Sequence, residues 1–170
     1  MNKHLISIVG PTGIGKTSLS LKLASYFDAH IVSADSRQFY KEIPIGTAAP
    51  TATELNLAKH HFIHHKSIKD SYSVGSFEKD AIAQIELSHE LNRVVIMVGG
   101  SGLYVDAVVK GFDDFPDVNP EIRIQLNQEL ATHGIETLQE ELKELDPESY
   151  NSIALKNPHR VIRALEICRG

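Results

Sequence analysis

The chain has 170 residues, of which 42% are hydrophobic and 23% are charged, and its formal net charge is −5. These values are typical of a globular protein with one main core and room for a small second lobe. The acidic balance excludes a global basic field, so a nucleic acid would have to bind a local patch. The single cysteine, Cys168, excludes an internal disulfide framework. There is no signal-peptide pattern and no apolar run near the roughly 18 residues that span a bilayer, so we expect a cytoplasmic protein without membrane contact.

The first 111 residues alternate short apolar runs with segments of helical spacing. The pattern predicts strands at residues 4–9, 31–34 and 94–98 and helices at residues 17–27 and 76–91. Near-continuous apolar strands separated by helices indicate an α/β fold, a parallel sheet with helices on both faces. Three clear strands are few for such a sheet. We therefore expect the α/β core to be incomplete and the chain to be truncated.

The composition of the sequence changes after residue 111. Residues 112–120 contain two prolines and three aspartates, which is typical of a linker. Helices are predicted at residues 120–133, 135–145 and 158–168, and no strand pattern appears there. The chain is therefore predicted to have an α/β core at residues 1–111 and a small all-helical lobe at residues 112–170.

The clearest motif follows the first predicted strand. It reads Gly10-Pro11-Thr12-Gly13-Ile14-Gly15-Lys16-Thr17. The pattern G-x-x-x-x-G-K-[ST] is typical of a loop whose backbone N–H groups surround phosphate oxygens at the N-terminus of a helix. Lys16 is expected to reach the outer phosphates and the Thr17 hydroxyl to bind Mg²⁺. The loop predicts a nucleotide such as ATP, or another pyrophosphate-bearing ligand, and says little about the reaction.

An acidic residue follows the second predicted strand. The strand at residues 94–98 ends in Gly99-Gly100-Ser101-Gly102 without a carboxylate, so the nearest strand-end acid is Asp35. Active residues of open α/β sheets gather beyond the carboxyl ends of the strands, so Asp35, Ser101 and the loop are expected to share one cleft. Asp35 could act as general base or metal ligand, or could simply cap its turn.

Several blocks of the sequence resemble one family in content and order. They are residues 10–12 (GPT), 35–40 (DSRQFY), 45–50 (IGTAAP), 99–104 (GGSGLY) and 157–166 (NPHRVIRALE). Together these blocks resemble the tRNA dimethylallyltransferase (tRNA isopentenyltransferase) family. The resemblance covers the N-terminal half of a family member, including a P-loop NTPase-like core and a helical insertion lobe.

The resemblance implies transfer of a dimethylallyl group from dimethylallyl diphosphate to N6 of adenine 37, next to the anticodon in tRNA. All eight loop residues would then hold the donor, and Lys16, Thr17, Mg²⁺ and backbone amides would stabilise the departing pyrophosphate. Asp35 matches the family's catalytic aspartate, a general base for the adenine amine. Ser101 matches a position that is usually threonine in the family, and serine keeps the hydroxyl.

The resemblance also implies contacts with the anticodon stem-loop of tRNA. The matching residues are Asp35, Ser36, Arg37, Gln38, Ser101, Arg123, His159, Arg160, Val161, Ile162 and Arg163. Gln38 is suited to hydrogen-bond the edge of a flipped-out adenine. Arg160 and Arg163 are three residues apart and lie on one face of a predicted helix, where they could contact phosphate or simply be solvated. We expect a monomer.

Three alternatives remain open at this point. A small-molecule or nucleotide kinase shares the loop and a strand-end aspartate, and a tRNA-binding or nucleotide-sensing module without turnover would also use the loop. The histidines of residues 60–65 could form a zinc site, although structural or edge-of-cleft histidines are favoured because no cysteine or acidic cluster is nearby. If the chain ends at Gly170, we expect little transferase activity, since the resemblance implies further pyrophosphate and tRNA contacts downstream.

Overall fold

A computed structural model describes residues 2–111 and 118–170. These two ranges form two compact units. Most of the predicted linker, residues 112–117, lies outside the described residues. In neither described range is any helix both long and apolar enough to cross a membrane.

The first unit is a parallel sheet with helices on both faces. Its elements are β1 (His4–Val9), α1 (Lys16–Phe27), β2 (His30–Ser33), α2 (Ala52–Leu55), β3 (His60–His61), α3 (Val74–Leu91), β4 (Val94–Gly99) and α4 (Gly102–Lys110). The strand order is β1-β4-β2-β3 and every pair is parallel. The α/β class is thus confirmed, with four strands in the described residues rather than three.

The two faces of the sheet have separate cores because successive strand residues point to opposite sides. On one face Val95 and Met97 of β4 pack with Phe77 of α3. On the other, Ile96 packs with Ala24 of α1. All five side chains are at most 3% exposed. The apolar run of β4 is therefore buried on both sides, as its sequence predicted.

The predicted elements of this unit form within two residues of their expected ends, and three short elements were missed. α2 has four residues and β3 has two, which is too short for a periodic signal. β3 forms because residues 60–61 pair with Ile31 and Val32 of β2. α4 begins at Gly102, in a glycine-rich stretch that sequence alone indicates as a loop.

The second unit is entirely helical in the residues described. It consists of α5 (Pro120–His133), α6 (Ile135–Leu145), α7 (Pro147–Ser152) and α8 (Pro158–Arg169), of which only α7 was not predicted. Three of the helices begin with a side-chain cap followed by proline, at Asn119, Asp146 and Asn157. The helices enclose one core of Leu126, Leu138, Leu142, Val161, Ile162 and Leu165.

Candidate active site

The glycine-rich loop (residues 10–17) connects β1 to α1, as predicted. Gly10, Gly13 and Gly15 have φ angles of 152°, 85° and 96°, which side-chain-bearing residues rarely adopt. No side chain caps the first turn of α1, so that turn leaves its backbone N–H groups for a ligand. The Lys16 ammonium donates a hydrogen bond to the Pro11 carbonyl at 2.7 Å, which bends its side chain back over the loop.

Asp35 follows β2 and faces this loop. One carboxylate oxygen, Oδ1, accepts a hydrogen bond from the Arg37 backbone N–H at 3.1 Å, so Asp35 does cap its turn. The other oxygen lies 3.8 Å from the position that a Cβ on Gly100 would take, and Lys16 Nζ lies 4.0 Å from the same point. The catalytic candidates Asp35 and Lys16 therefore flank Gly100.

Gly99 explains how the two strand ends come so close. A side chain at Gly99 would collide with the backbone carbonyl of Ala34, the residue just before Asp35. Only glycine permits this approach of β4 to β2. Gly99, which ends β4, is thus required by the packing that brings Asp35 to the loop.

Ser101 lies beside Ser36, across from the loop. The Ser36 backbone N–H donates to the Ser101 hydroxyl oxygen at 3.1 Å, and the two hydroxyl groups are 3.2 Å apart. The structure thus brings together Asp35, Ser36 and Ser101, as the expected shared cleft required.

Two cavities meet at Asp35. The first, of about 330 Å³, contains the loop residues Thr12, Lys16 and Thr17 in its wall. The second, of about 420 Å³, is lined by Ser36, Arg37, Ser101 and neighbouring backbone. Thr12 and Asp35 line both cavities. The cavity beside the glycine-rich loop and the cavity with the paired serine hydroxyls therefore share one carboxylate.

Gln38 lines the first cavity, and its side-chain amide is hydrogen-bonded within the first unit. Its amide accepts a hydrogen bond from the Ser33 hydroxyl and donates to the backbone carbonyls of Thr47 and Ala48, at 2.9, 3.3 and 3.0 Å. These hydrogen bonds already involve the side-chain amide that was expected to hydrogen-bond the edge of an adenine.

Several wall residues of the first cavity were missed by sequence reasoning. They are Ser18, Ser20, Ser33, Ala48, Pro50, Glu54, Ile63 and Val98. Ala48 and Pro50 lie in the block at residues 45–50, which was the one available signal. Hydrogen bonds from the Thr51 backbone and hydroxyl hold the pKa of Glu54 below its usual range, so this carboxylate stays charged.

The histidines of residues 60–65 take separate positions. His60 lines the first cavity, whereas His61 lies 3.3 Å from the ring of His30. The ring of His65 packs among Phe39, Phe62 and Tyr72. Across residues 2–111 and 118–170, no group of three His, Cys, Asp or Glu side chains is arranged to hold a metal ion.

The second unit presents part of the predicted tRNA-binding set. Arg123, His159, Arg160 and Arg163 are exposed. Val161 and Ile162, by contrast, are at most 2% exposed and belong to the helical core, so their side chains are not available to a ligand. The apolar face of α8 packs inward, so a tRNA contact at these two positions stays a prediction that only their backbone groups can meet.

Fold and site together define a class: an α/β protein with a glycine-rich loop, a lysine and a strand-end carboxylate at one edge of a parallel sheet. A model of the IPP transferase family matches residues 38–170. The chain is 58% identical to a tRNA dimethylallyltransferase of Christiangramia forsetii, over 99% of this chain and 56% of that protein. It is 56% identical to a tRNA dimethylallyltransferase of Flavobacterium johnsoniae, over the same shares of both chains.

Solved structures show the same relationship. A full-length tRNA isopentenylpyrophosphate transferase from Bacillus halodurans is 38% identical, with a TM-score of 0.65 over 99% of this chain and 56% of that one. A eukaryotic dimethylallyltransferase acting on tRNA is 27% identical, with a TM-score of 0.81 over 98% of this chain and 41% of that one. The chain belongs to the IPP transferase family, and it spans about half the length of the curated relatives that it matches.

Proposed function

We propose that this protein is the N-terminal half of a tRNA dimethylallyltransferase, which transfers a dimethylallyl group from dimethylallyl diphosphate to N6 of adenine 37 in tRNA. The observation that carries the proposal is the pair of cavities that share Asp35. The cavity with the glycine-rich loop suits a diphosphate, and the cavity with Ser36 and Ser101 suits the polar edge of a nucleoside. The names of the relatives support the same reaction.

On the donor side, the chain supplies positive charge where negative charge develops. The allylic C–O bond breaks and its electron pair leaves with the pyrophosphate. Lys16, the loop N–H groups and the N-terminus of α1 stabilise that anion. Ala48, Pro50 and Ile63 give the same cavity an apolar wall for the hydrocarbon end of the donor.

On the acceptor side, the N6 lone pair forms the new C–N bond, and the nitrogen must lose a proton. Asp35 is the carboxylate common to both cavities, so it can accept that proton as general base. The Ser101 hydroxyl lies on the acceptor side and positions the nucleotide.

The site has oxygen ligands suited to Mg²⁺. The Thr17 hydroxyl and the Asp35 carboxylate line the same cavity, and hard oxygen donors are what Mg²⁺ prefers. Within residues 2–111, the Thr17 hydroxyl has no protein hydrogen-bond partner. When bound, the ion would neutralise charge on the diphosphate.

The tRNA would be held by local basic groups, because the chain is acidic overall. Arg123, Arg160 and Arg163 of the second unit are exposed and suited to phosphate contact. We propose the anticodon stem-loop as the bound region and a monomer as the active form.

Calorimetry with the 170-residue chain tests the donor assignment. We expect dimethylallyl diphosphate to bind at least tenfold more tightly than ATP, in the presence of Mg²⁺. A preference for ATP would favour the kinase alternative and contradict the proposal.

Transfer itself is best measured in a chimera that joins this chain to the remaining residues of the Christiangramia forsetii relative. Asp35→Asn should lower kcat for prenylation of unmodified tRNA by about 10²–10⁴ and leave donor affinity within about twofold of the parent. Unchanged turnover would remove Asp35 from the mechanism.

A further inference from the structure

All the hydrogen-bonding groups of Gln38 are used within the first unit. Its backbone N–H donates to the Asp35 carbonyl at 2.9 Å, and its carbonyl accepts from the His64 backbone N–H at 2.8 Å. Its side-chain amide makes the three contacts with Ser33, Thr47 and Ala48 described above. Ser33 and Thr47 are 1% and 7% exposed, so the amide connects two buried points.

The amide fixes a turn, residues 44–48, that separates the two cavities. Gly46 and Thr47 line the second cavity, which also contains Ser36. Ala48 lines the first cavity, which contains the glycine-rich loop. The Thr47 hydroxyl closes the turn by donating to the Pro44 carbonyl at 3.1 Å. The turn therefore forms part of the wall of both cavities.

The conformation of this turn requires support. Ala48 has a φ angle of 49°, in the left-handed region that is unfavourable for alanine. A residue held there persists only when its surroundings impose it. The two hydrogen bonds from the Gln38 amide to the carbonyls of Thr47 and Ala48 provide that constraint.

We propose that Gln38 is a positioning residue, whose amide holds residues 44–48 in the shape that completes the donor cavity, rather than a reader of the adenine edge. The chemistry requires an amide: the oxygen accepts from Ser33, and the nitrogen donates to two carbonyls. A glutamate of the same size would place carboxylate oxygens against those carbonyls. The inference rests on the proposed function, because the proposed function places dimethylallyl diphosphate in the cavity that contains the glycine-rich loop.

Donor binding without tRNA separates the two roles, because no adenine is present. Gln38→Glu should weaken dimethylallyl diphosphate binding to the 170-residue chain about tenfold, from the loss of two hydrogen bonds. Gln38 lines the donor cavity, so a carboxylate there also repels the diphosphate. The uncharged variant Gln38→Met loses the same hydrogen bonds without that repulsion and should weaken binding to a similar extent, whereas Gln125→Glu, at an exposed position on α5, should leave binding unchanged. If Gln38→Glu binds the donor as the parent does, Gln38 does not position the cavity.

Amide hydrogen exchange gives a second measurement that needs no ligand. Gly46, Thr47 and Ala48 should exchange at least fivefold faster in Gln38→Glu than in the parent. The milder variant Ser33→Ala removes the bond that orients the amide, together with a long contact from the Asp35 backbone N–H at 3.4 Å, and should produce a smaller change of the same sign. Equal exchange rates in a folded variant would overturn the proposal, whereas a parent chain that binds no donor would instead overturn the proposed function.

Discussion

The hydroxyl groups of Ser36 and Ser101 lie 3.2 Å apart, although 65 residues separate them in the chain. The Ser101 oxygen also accepts the Ser36 backbone N–H, which ties the turn after β2 to the start of α4. This pair forms one side of the cavity that we assign to the acceptor nucleotide.

Ser101→Ala should therefore affect the acceptor more than the donor. In the chimera described above, we expect kcat/KM for tRNA to fall about tenfold, since the loss of one hydrogen bond costs about 1 kcal/mol and the Ser36 N–H loses its partner. Affinity for the donor alone should not change. Ser101→Thr is the matched control, because it keeps the hydroxyl, and a loss as large as that of the alanine variant would contradict this role.

The charge of Lys16 should dominate donor binding. Lys16→Met keeps much of the aliphatic length and removes the ammonium, so calorimetry should show affinity for dimethylallyl diphosphate reduced by about 10²-fold. Lys22→Met makes the same change on an exposed position of α1. The proposed donor site would be wrong if both variants bound the donor equally well.

Glu166 offers a test in which two explanations predict opposite changes in the affinity for RNA. Its carboxylate is 4% exposed and lies 3.4 Å from Arg123 and 3.3 Å from Arg163, whose side chains are 52% and 46% exposed. Net charge alone predicts that Glu166→Gln strengthens RNA binding, because a negative charge is removed. We expect the opposite, a severalfold weaker binding of the anticodon stem-loop, because the carboxylate orients both guanidinium groups.

Filter binding of the stem-loop at several salt concentrations measures this effect. The exposed variant Glu140→Gln serves as the charge control and should bind slightly more tightly than the parent. Thermal unfolding checks that the second unit of Glu166→Gln remains folded. Tighter binding by a folded Glu166→Gln would show that the carboxylate does not position the arginines.

The paired rings of His30 and His61 should make stability depend on pH. Burial, followed by the charges of His30 and Lys59, lowers the pKa of His61 to about 4, and burial also lowers that of His30. The unfolded chain binds these protons near pH 6.5, so stability is fully present above that pH and decreases as the pH falls towards 4. We expect a loss of about 1 kcal/mol between pH 7 and pH 5, because partial exposure weakens the effect.

Urea unfolding at these two pH values measures the difference. His61→Gln should flatten the dependence, and the exposed control His4→Gln should not. An identical loss of stability in the parent and in His61→Gln would show that other groups cause it.

Elements with local signals could be predicted from the amino-acid sequence. The run at residues 94–98 could be read as a strand buried on both faces, and the glycine-rich loop was predicted together with Lys16 and Asp35. The caps at Asn119 and Asn157, each followed by proline, mark helix starts that depend only on neighbouring residues. Local chemistry thus predicted the α/β class and the loop, lysine and aspartate around which the cavities lie.

The partners of those residues depend on contacts between distant segments, which local patterns do not reveal. Whether Gln38 faces a ligand or the carbonyls of Thr47 and Ala48 depends on the path of residues 44–48, which no periodicity encodes. Val161 and Ile162 share a motif with exposed arginines, yet they are core because α8 packs them against α5 and α6. The pairing of Ser36 with Ser101 likewise results from β2 and β4 lying side by side, a contact between segments far apart in the chain.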